Sequence, residues 1–107
     1  MRVIAKRTLQ EFWERPGRSD AEQPLKAWFH EAAKATWHGP AEIKRTFASA
    51  SIVADNRVVF NIAGNKYRLV VHINYGLQIV LVKFVGTHAE YDDIDVRTVG
   101  GGGKNEH

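Results

Sequence analysis

Residues 58–91 read VVFNIAGNKYRLVVHINYGLQIVLVKFVGTHAEY. Three apolar runs, VVFNI, YRLVVHI and LQIVLVKFV, are separated by two turn signals, Gly64-Asn65 and Asn74-Tyr75-Gly76. Short β-branched runs punctuated by Gly and Asn predict three strands joined by tight hairpins. Side chains alternate across a strand. Val58, Phe60, Ile62, Tyr67, Leu69, Val71 and Ile73 therefore fall on one nearly pure apolar face. Asn61, Arg68 and His72 fall on the other, among valines, with Lys66 at the hairpin. The third run is apolar on both faces, which predicts an interior strand. The same alternation puts Ile79, Leu81 and Lys83 on one face and Val80, Val82 and Phe84 on the other.

Upstream, the period changes from two to 3.6. Leu9, Phe12 and Trp13 give a short helix over 8–14, with Thr8 and Glu11 at capping-box spacing and Pro16-Gly17 as its stop. Leu25, Trp28, Phe29 and Ala32 give a second helix reaching Ala35, with Ser19 or Asp20 as cap. Pro40 opens a third, AEIKRTFA, with Ile43 and Phe47 one turn apart. Trp13, Trp28 and Trp37 all lie in this half and are read as packing residues. Residues 1–6 form an edge strand or a lead-in, and SIVA (51–54) a short strand before the turn pair Asp55-Asn56. HAEYDDI (88–94) reads as a short helical turn capped by Thr87.

Helices followed by strands define an α+β fold, with N-terminal helices packed on one face of a small, mainly antiparallel curled sheet. Residues 1–98 are expected to form a single domain and 99–107, with four consecutive glycines, a flexible tail.

Composition excludes several functions. There is no Cys, hence no disulfide or thiolate metal site. No apolar run approaches the ~20 residues that span a bilayer, and no signal peptide is read at the N-terminus. These features predict a cytoplasmic protein with no membrane partner. The five histidines show no metal-binding spacing, and there is no phosphate-binding glycine loop and no G-x-S-x-G. No metal or cofactor is expected. The net charge is +3, and six cations but one acid lie between Lys44 and Lys83. A locally basic sheet favours a polyanion.

The chemistry-bearing set is Lys66, Arg68, Lys83, His88 and Tyr91, with Asn61, His72 and Glu90 nearby. It suits metal-free phosphodiester cleavage, because RNA carries its own nucleophile, the 2′-hydroxyl. Arg and Lys offset the charge developing on phosphorus, His and Tyr move protons, and aromatic rings stack on bases. Each residue also has an ordinary reading: Arg68 as an ion-pair partner of Glu90, His72 as a half-buried strand residue, and Lys66 as a solvated hairpin residue.

Two pieces, VFNIAGNKYRL (59–69) and FVGTHAEYDDI (84–94), resemble the HigB-type toxins of type II toxin–antitoxin pairs, within the RelE/ParE superfamily. The resemblance extends over about residues 1–98. It implies a RelE-like fold and an mRNA interferase, a metal-independent endoribonuclease acting on mRNA at the ribosome. It also implies a HigA-type helix-turn-helix antitoxin, with operator DNA reached only through the antitoxin complex. By this resemblance Arg68 contacts the scissile phosphate, and His88 and Tyr91 complete the catalytic group. Lys66, Lys83 and Asn61 are expected to bind RNA. The chain lacks some of the extra Lys and Arg of the most basic RelE-like enzymes. Two other readings stand beside this one: a non-catalytic RNA- or protein-binding module, and a toxin of the same fold acting on a protein such as gyrase.

Overall fold

The computed structural model describes residues 1–53 and 56–100. The order is β1 (Arg2–Ile4), α1 (Lys6–Trp13), a 3-10 turn (Ser19–Ala21), α2 (Glu22–Lys34), α3 (Pro40–Thr46), β2 (Ser51–Val53), β3 (Arg57–Ile62), β4 (Tyr67–Asn74), β5 (Ile79–Thr87) and α4 (His88–Asp92). The five strands form one sheet in the order β1-β5-β4-β3-β2. All neighbours are antiparallel except β1 and β5. The α+β class and the interior place of the third predicted strand agree with the sequence. The predicted three-strand meander gains a parallel edge, β1, and an antiparallel edge, β2. No helix among the described residues is long and apolar enough to cross a membrane.

The apolar sheet face meets the helices as its alternation requires. Val58, Phe60, Ile62, Tyr67, Leu69, Val71 and Ile73 are buried together with Leu9, Phe12, Leu25, Trp28 and Ile43. All three tryptophans are buried. Phe60 packs edge-on against Trp28 and Phe47, at centroid distances of 5.4 and 5.1 Å, so aromatic rings join helices to strands.

Helix starts depart from expectation. α1 begins two residues before Thr8, with Ala5 as N-cap and no side-chain cap, and Glu11 pairs with Arg7 instead of capping. Ser19 and Asp20 lie in the 3-10 turn and cap nothing through their side chains. Asp20 instead accepts from Lys66 and from the Tyr67 hydroxyl on β4. Hydrogen bonds from these two partners, Lys66 first, hold the Asp20 carboxyl below its ordinary pKa.

Both hairpins are wider than two residues. Pairing Ile62 with Tyr67 leaves residues 63–66 as the first loop, with Ala63 and Gly64 at positive φ. The second loop ends at Gln78, not Gly76: Gln78 has φ 57°, so β5 starts two residues later than the apolar run does. The Gln78 side chain donates to the Trp37 and Tyr75 carbonyls, anchoring this left-handed residue.

β5 also breaks the simple alternation. Val71 pairs with Val82 but Val70 pairs with Phe84, so Lys83 is the extra residue of a β-bulge. Val80, Val82 and Val85 therefore belong to the core side, and Phe84 shares the opposite face with Val70.

That second face is not open sheet. Val59, Val70 and Arg57 are all buried. The Arg57 guanidinium donates to the Val96 and Val99 carbonyls at 3.1 and 2.7 Å, drawing the C-terminal segment across the strands. Gly100, at φ 80°, lies so close to β5 that a Cβ would stand 2.5 Å from the Lys83 carbonyl. Val99 and Gly100, assigned to the tail by sequence, are thus packed on the sheet, while 101–107 lies outside the described residues, as do Ala54 and Asp55 of the predicted β2 end and turn pair.

A buried guanidinium left without its carbonyls, or carbonyls left without it, is costly. Arg57→Ala is expected to lower unfolding free energy by about 2–4 kcal/mol, read from urea midpoints. Arg97→Ala, at an exposed position of the same segment, should change it by less than about 0.5 kcal/mol.

Candidate active site

The site forms where the ends of β4 and β5 meet α4. Thr87 closes β5 and caps α4: the Glu90 amide donates to Thr87 Oγ1 at 3.1 Å, and the Thr87 amide donates to Glu90 Oε1 at 2.8 Å. This reciprocal capping box lets a helix of five residues hold a fixed direction. His88 and Tyr91, three residues apart on that helix, are thereby oriented.

Arg68 lies on β4 opposite Asn61 of β3 and Gly86 of β5. Its guanidinium stacks on the Tyr91 ring, 4.9 Å from the centroid. This cation–π contact holds the Arg68 guanidinium against the Tyr91 ring on a half-buried surface. Arg68 Nε is buried without a hydrogen-bond partner. His88 Nε2 lies 3.0 Å from Asn65 Oδ1 in the first hairpin loop. An amide oxygen only accepts, so Nε2–H is the donor in this contact, which in the neutral ring is the tautomer with its lone pair on Nδ1.

Gly86 makes the arrangement possible. A Cβ there would stand 2.6 Å from the Phe84 ring and 2.7 Å from Glu90 Oε1. The Glu90 carboxylate thus occupies the space beside Arg68 that a side chain at 86 would fill. Its other oxygen accepts from Arg18 at 3.1 Å, with Arg15 at 3.9 Å. The ion pair considered for Arg68 and Glu90 is therefore made by Arg18 and Arg15. The Thr87 amide, followed by the Arg18 and Arg15 charges, holds the Glu90 carboxyl below its ordinary pKa against the opposing effect of burial.

Of the residues singled out by sequence, Arg68, Asn61, His88 and Tyr91 come together at one end of the sheet. Lys66 turns toward the helical layer and pairs with Asp20. Lys83 lies at the bulge, beyond the second register row from Arg68, against Gly100. The sheet is also less basic than its sequence suggests. Lys44 is held by the Ala50 carbonyl, Arg57 by the C-terminal segment and Lys66 by Asp20. Asn65, Arg15, Arg18 and Gly86 escaped sequence reading. Arg18 reaches Glu90 across 72 residues, a proximity no local pattern encodes. Among the described residues no group of three or more His, Asp and Glu is placed to hold a metal ion.

A small α+β domain with helices on one face of a mainly antiparallel five-stranded sheet is consistent with a RelE-like protein. The comparison with protein families supports this class. Residues 21–94 match HigB_toxin, described as the RelE-like toxic component of a toxin–antitoxin system, and the chain belongs to that family. No curated protein matches the sequence. Membership makes an antitoxin the partner of this chain. The match spans α2 to α4 and so includes Arg68, His88 and Tyr91.

Glu90 supplies a pH test of the geometry. With its pKa lowered on folding, the unfolded chain binds the proton first as pH falls. The stabilisation is fully present above the ordinary Glu range, about pH 4–5, and is lost as pH drops through the lower folded value. Glu90→Gln is expected to flatten this part of the acid limb in urea melts collected from about pH 3 to pH 7. Gly86→Ala should displace the carboxylate and flatten the same limb, so an unchanged limb in both variants would contradict the network.

Proposed function

We propose that this toxin is an endoribonuclease that cleaves mRNA through the substrate's 2′-hydroxyl without a metal, acting on the translating ribosome. The observation that carries the reading is the joint placement of Arg68, stacked on Tyr91, and His88, fixed by Asn65. Anion stabilisation and proton transfer are thereby available within one small surface.

In the reaction, His88 Nδ1 takes the proton of the 2′-hydroxyl, whose oxygen attacks phosphorus. The Arg68 guanidinium donates to the non-bridging oxygens as their charge grows. The P–O5′ bond breaks, and the 5′-oxygen receives a proton from the Tyr91 hydroxyl or from water. The products are a 2′,3′-cyclic phosphate and a 5′-hydroxyl, so the bonds and protons balance without a co-reactant. Tyr91 also presents an aromatic edge to a base beside the scissile linkage. Asn61, level with Arg68, is a hydrogen-bonding neighbour for the strand. Lys83 extends the cationic surface. Lys66 contacts the RNA backbone only after leaving Asp20. The antitoxin in this reading is of the HigA helix-turn-helix type, and DNA is reached only through that complex.

Arg68→Ala is expected to reduce cleavage about 10²–10³-fold while the protein stays folded. Primer extension of cellular mRNA after induction, wild type against variant, reads this directly. Full cleavage by a folded Arg68→Ala protein would sink the assignment, and loss of wild-type cleavage in EDTA would sink the metal-free mechanism. Asn65→Ala should cost about tenfold by freeing the His88 ring, and measurably more than Asn74→Ala in the other hairpin.

A further inference from the structure

We propose that Arg15, backed by Arg18, forms a second anion subsite that takes the phosphate flanking the scissile one in single-stranded RNA. The proposal rests on the ribonuclease reading of the Arg68 site and extends it along the strand.

One carboxylate links the two guanidiniums to the strand next to Arg68. Glu90 Oε1 lies against Gly86, the cross-strand neighbour of Arg68. Glu90 Oε2 faces Arg18 and Arg15. Glu90 thus joins the pair to the strand directly beside that of Arg68. Both guanidiniums lie over the Phe12 ring, 5.7 Å from its centroid, a cation–π contact that draws the two together.

Their burial divides the labour. The Arg18 side chain is 24% exposed, hydrogen-bonded to Glu90, and its Nε is buried without a partner. It is the inner support. The Arg15 side chain is 55% exposed, and at 3.9 Å from Glu90 it is beyond hydrogen-bond distance. Its donors face solvent and are available to a ligand.

Glu90 does not cancel this subsite. One of its oxygens accepts the Thr87 amide and the other accepts Arg18. Two guanidiniums face a single carboxylate, and the surplus is positive. RNA presents phosphates at regular intervals, so a strand with one phosphate on Arg68 meets a second cation only if one lies a short step away. Arg15 offers that cation from the loop after α1, which is independent of the sheet.

The test measures binding of two 2′-O-methyl RNA hexanucleotides of one sequence, which cannot be cleaved. One is fully charged, and the other carries neutral methylphosphonates at the linkages flanking the central phosphate. Fluorescence anisotropy across a salt series gives affinity and salt slope. Arg15→Ala is expected to weaken the charged hexanucleotide about 5-fold at about 0.1 M salt and to make the salt slope shallower by about 0.7, the value of one single-strand phosphate contact. It should not change affinity for the neutralised hexanucleotide, and Arg15→Lys should restore the slope. Arg68→Ala should weaken both. An unchanged slope for Arg15→Ala, or an equal loss on both oligonucleotides, overturns the subsite while leaving the nuclease reading intact. A folded wild type that neither binds these oligonucleotides nor cleaves mRNA overturns both.

Discussion

One extra residue in β5 decides which side chains meet at the site. Alternation along a strand has period two, so a single inserted residue moves everything beyond it to the other face. The bulge at Lys83 does this in mid-strand. Before it, Val80 and Val82 face the helices. After it Val85 does, and Phe84 and Gly86 pass to the face shared with Val70 and Arg68. Without the bulge, Val85 would stand opposite Arg68. With it, a glycine stands there, and the vacated volume admits Glu90. The capping box, the orientation of His88 and Tyr91, and the anchoring of Arg18 all follow from that exchange.

The site is therefore assembled from short local devices that share one carboxylate. Glu90 is a helix cap to Thr87, an ion-pair partner to Arg18, and a filler of the space above Gly86. A five-residue helix is too short to hold itself in water. Its direction comes from the cap at its first residue and from the Arg68–Tyr91 stack on its last turn. The same stack restrains a long, entropy-rich arginine side chain before any ligand arrives. That lowers the ordering cost of binding an anion there.

Much of this was legible in sequence, for identifiable reasons. Strands β3 and β4 alternate cleanly because one face is core, and their register follows. Thr87 and Glu90 stand at capping-box spacing, and α4 is capped as Thr87 suggested. The same spacing at Thr8 and Glu11 misled, because α1 starts at Lys6 directly after β1 and Glu11 has Arg7 one turn away. Gln78 was missed as a turn residue because Gly76 is the stronger signal. Its left-handed backbone depends on side-chain bonds to Trp37 and Tyr75 that only the fold supplies. The bulge has no mark in an apolar run, and every face assignment after Lys83 changed with it.

Charge gave the least reliable sequence signal, and the reason bears on function. Counting cations between Lys44 and Lys83 treats each as a surface charge. In the fold, Arg57 is buried under the C-terminal segment and Lys66 is tied to Asp20. A nucleic-acid surface built from the sheet alone would be thinly charged. In the proposed nuclease the deficit is made up from the other layer of the molecule. α1 and the loop after it deliver Arg15 and Arg18 to the end of β5, a placement set by packing Phe12 against Tyr67 at 5.3 Å. The helical layer thus does more than bury the sheet's apolar face. By placing Phe12 in the core it also fixes where two guanidiniums meet the Glu90 carboxylate. The positive field of the site is consequently a property of the helix–sheet junction, and core packing and ligand electrostatics meet in one aromatic ring.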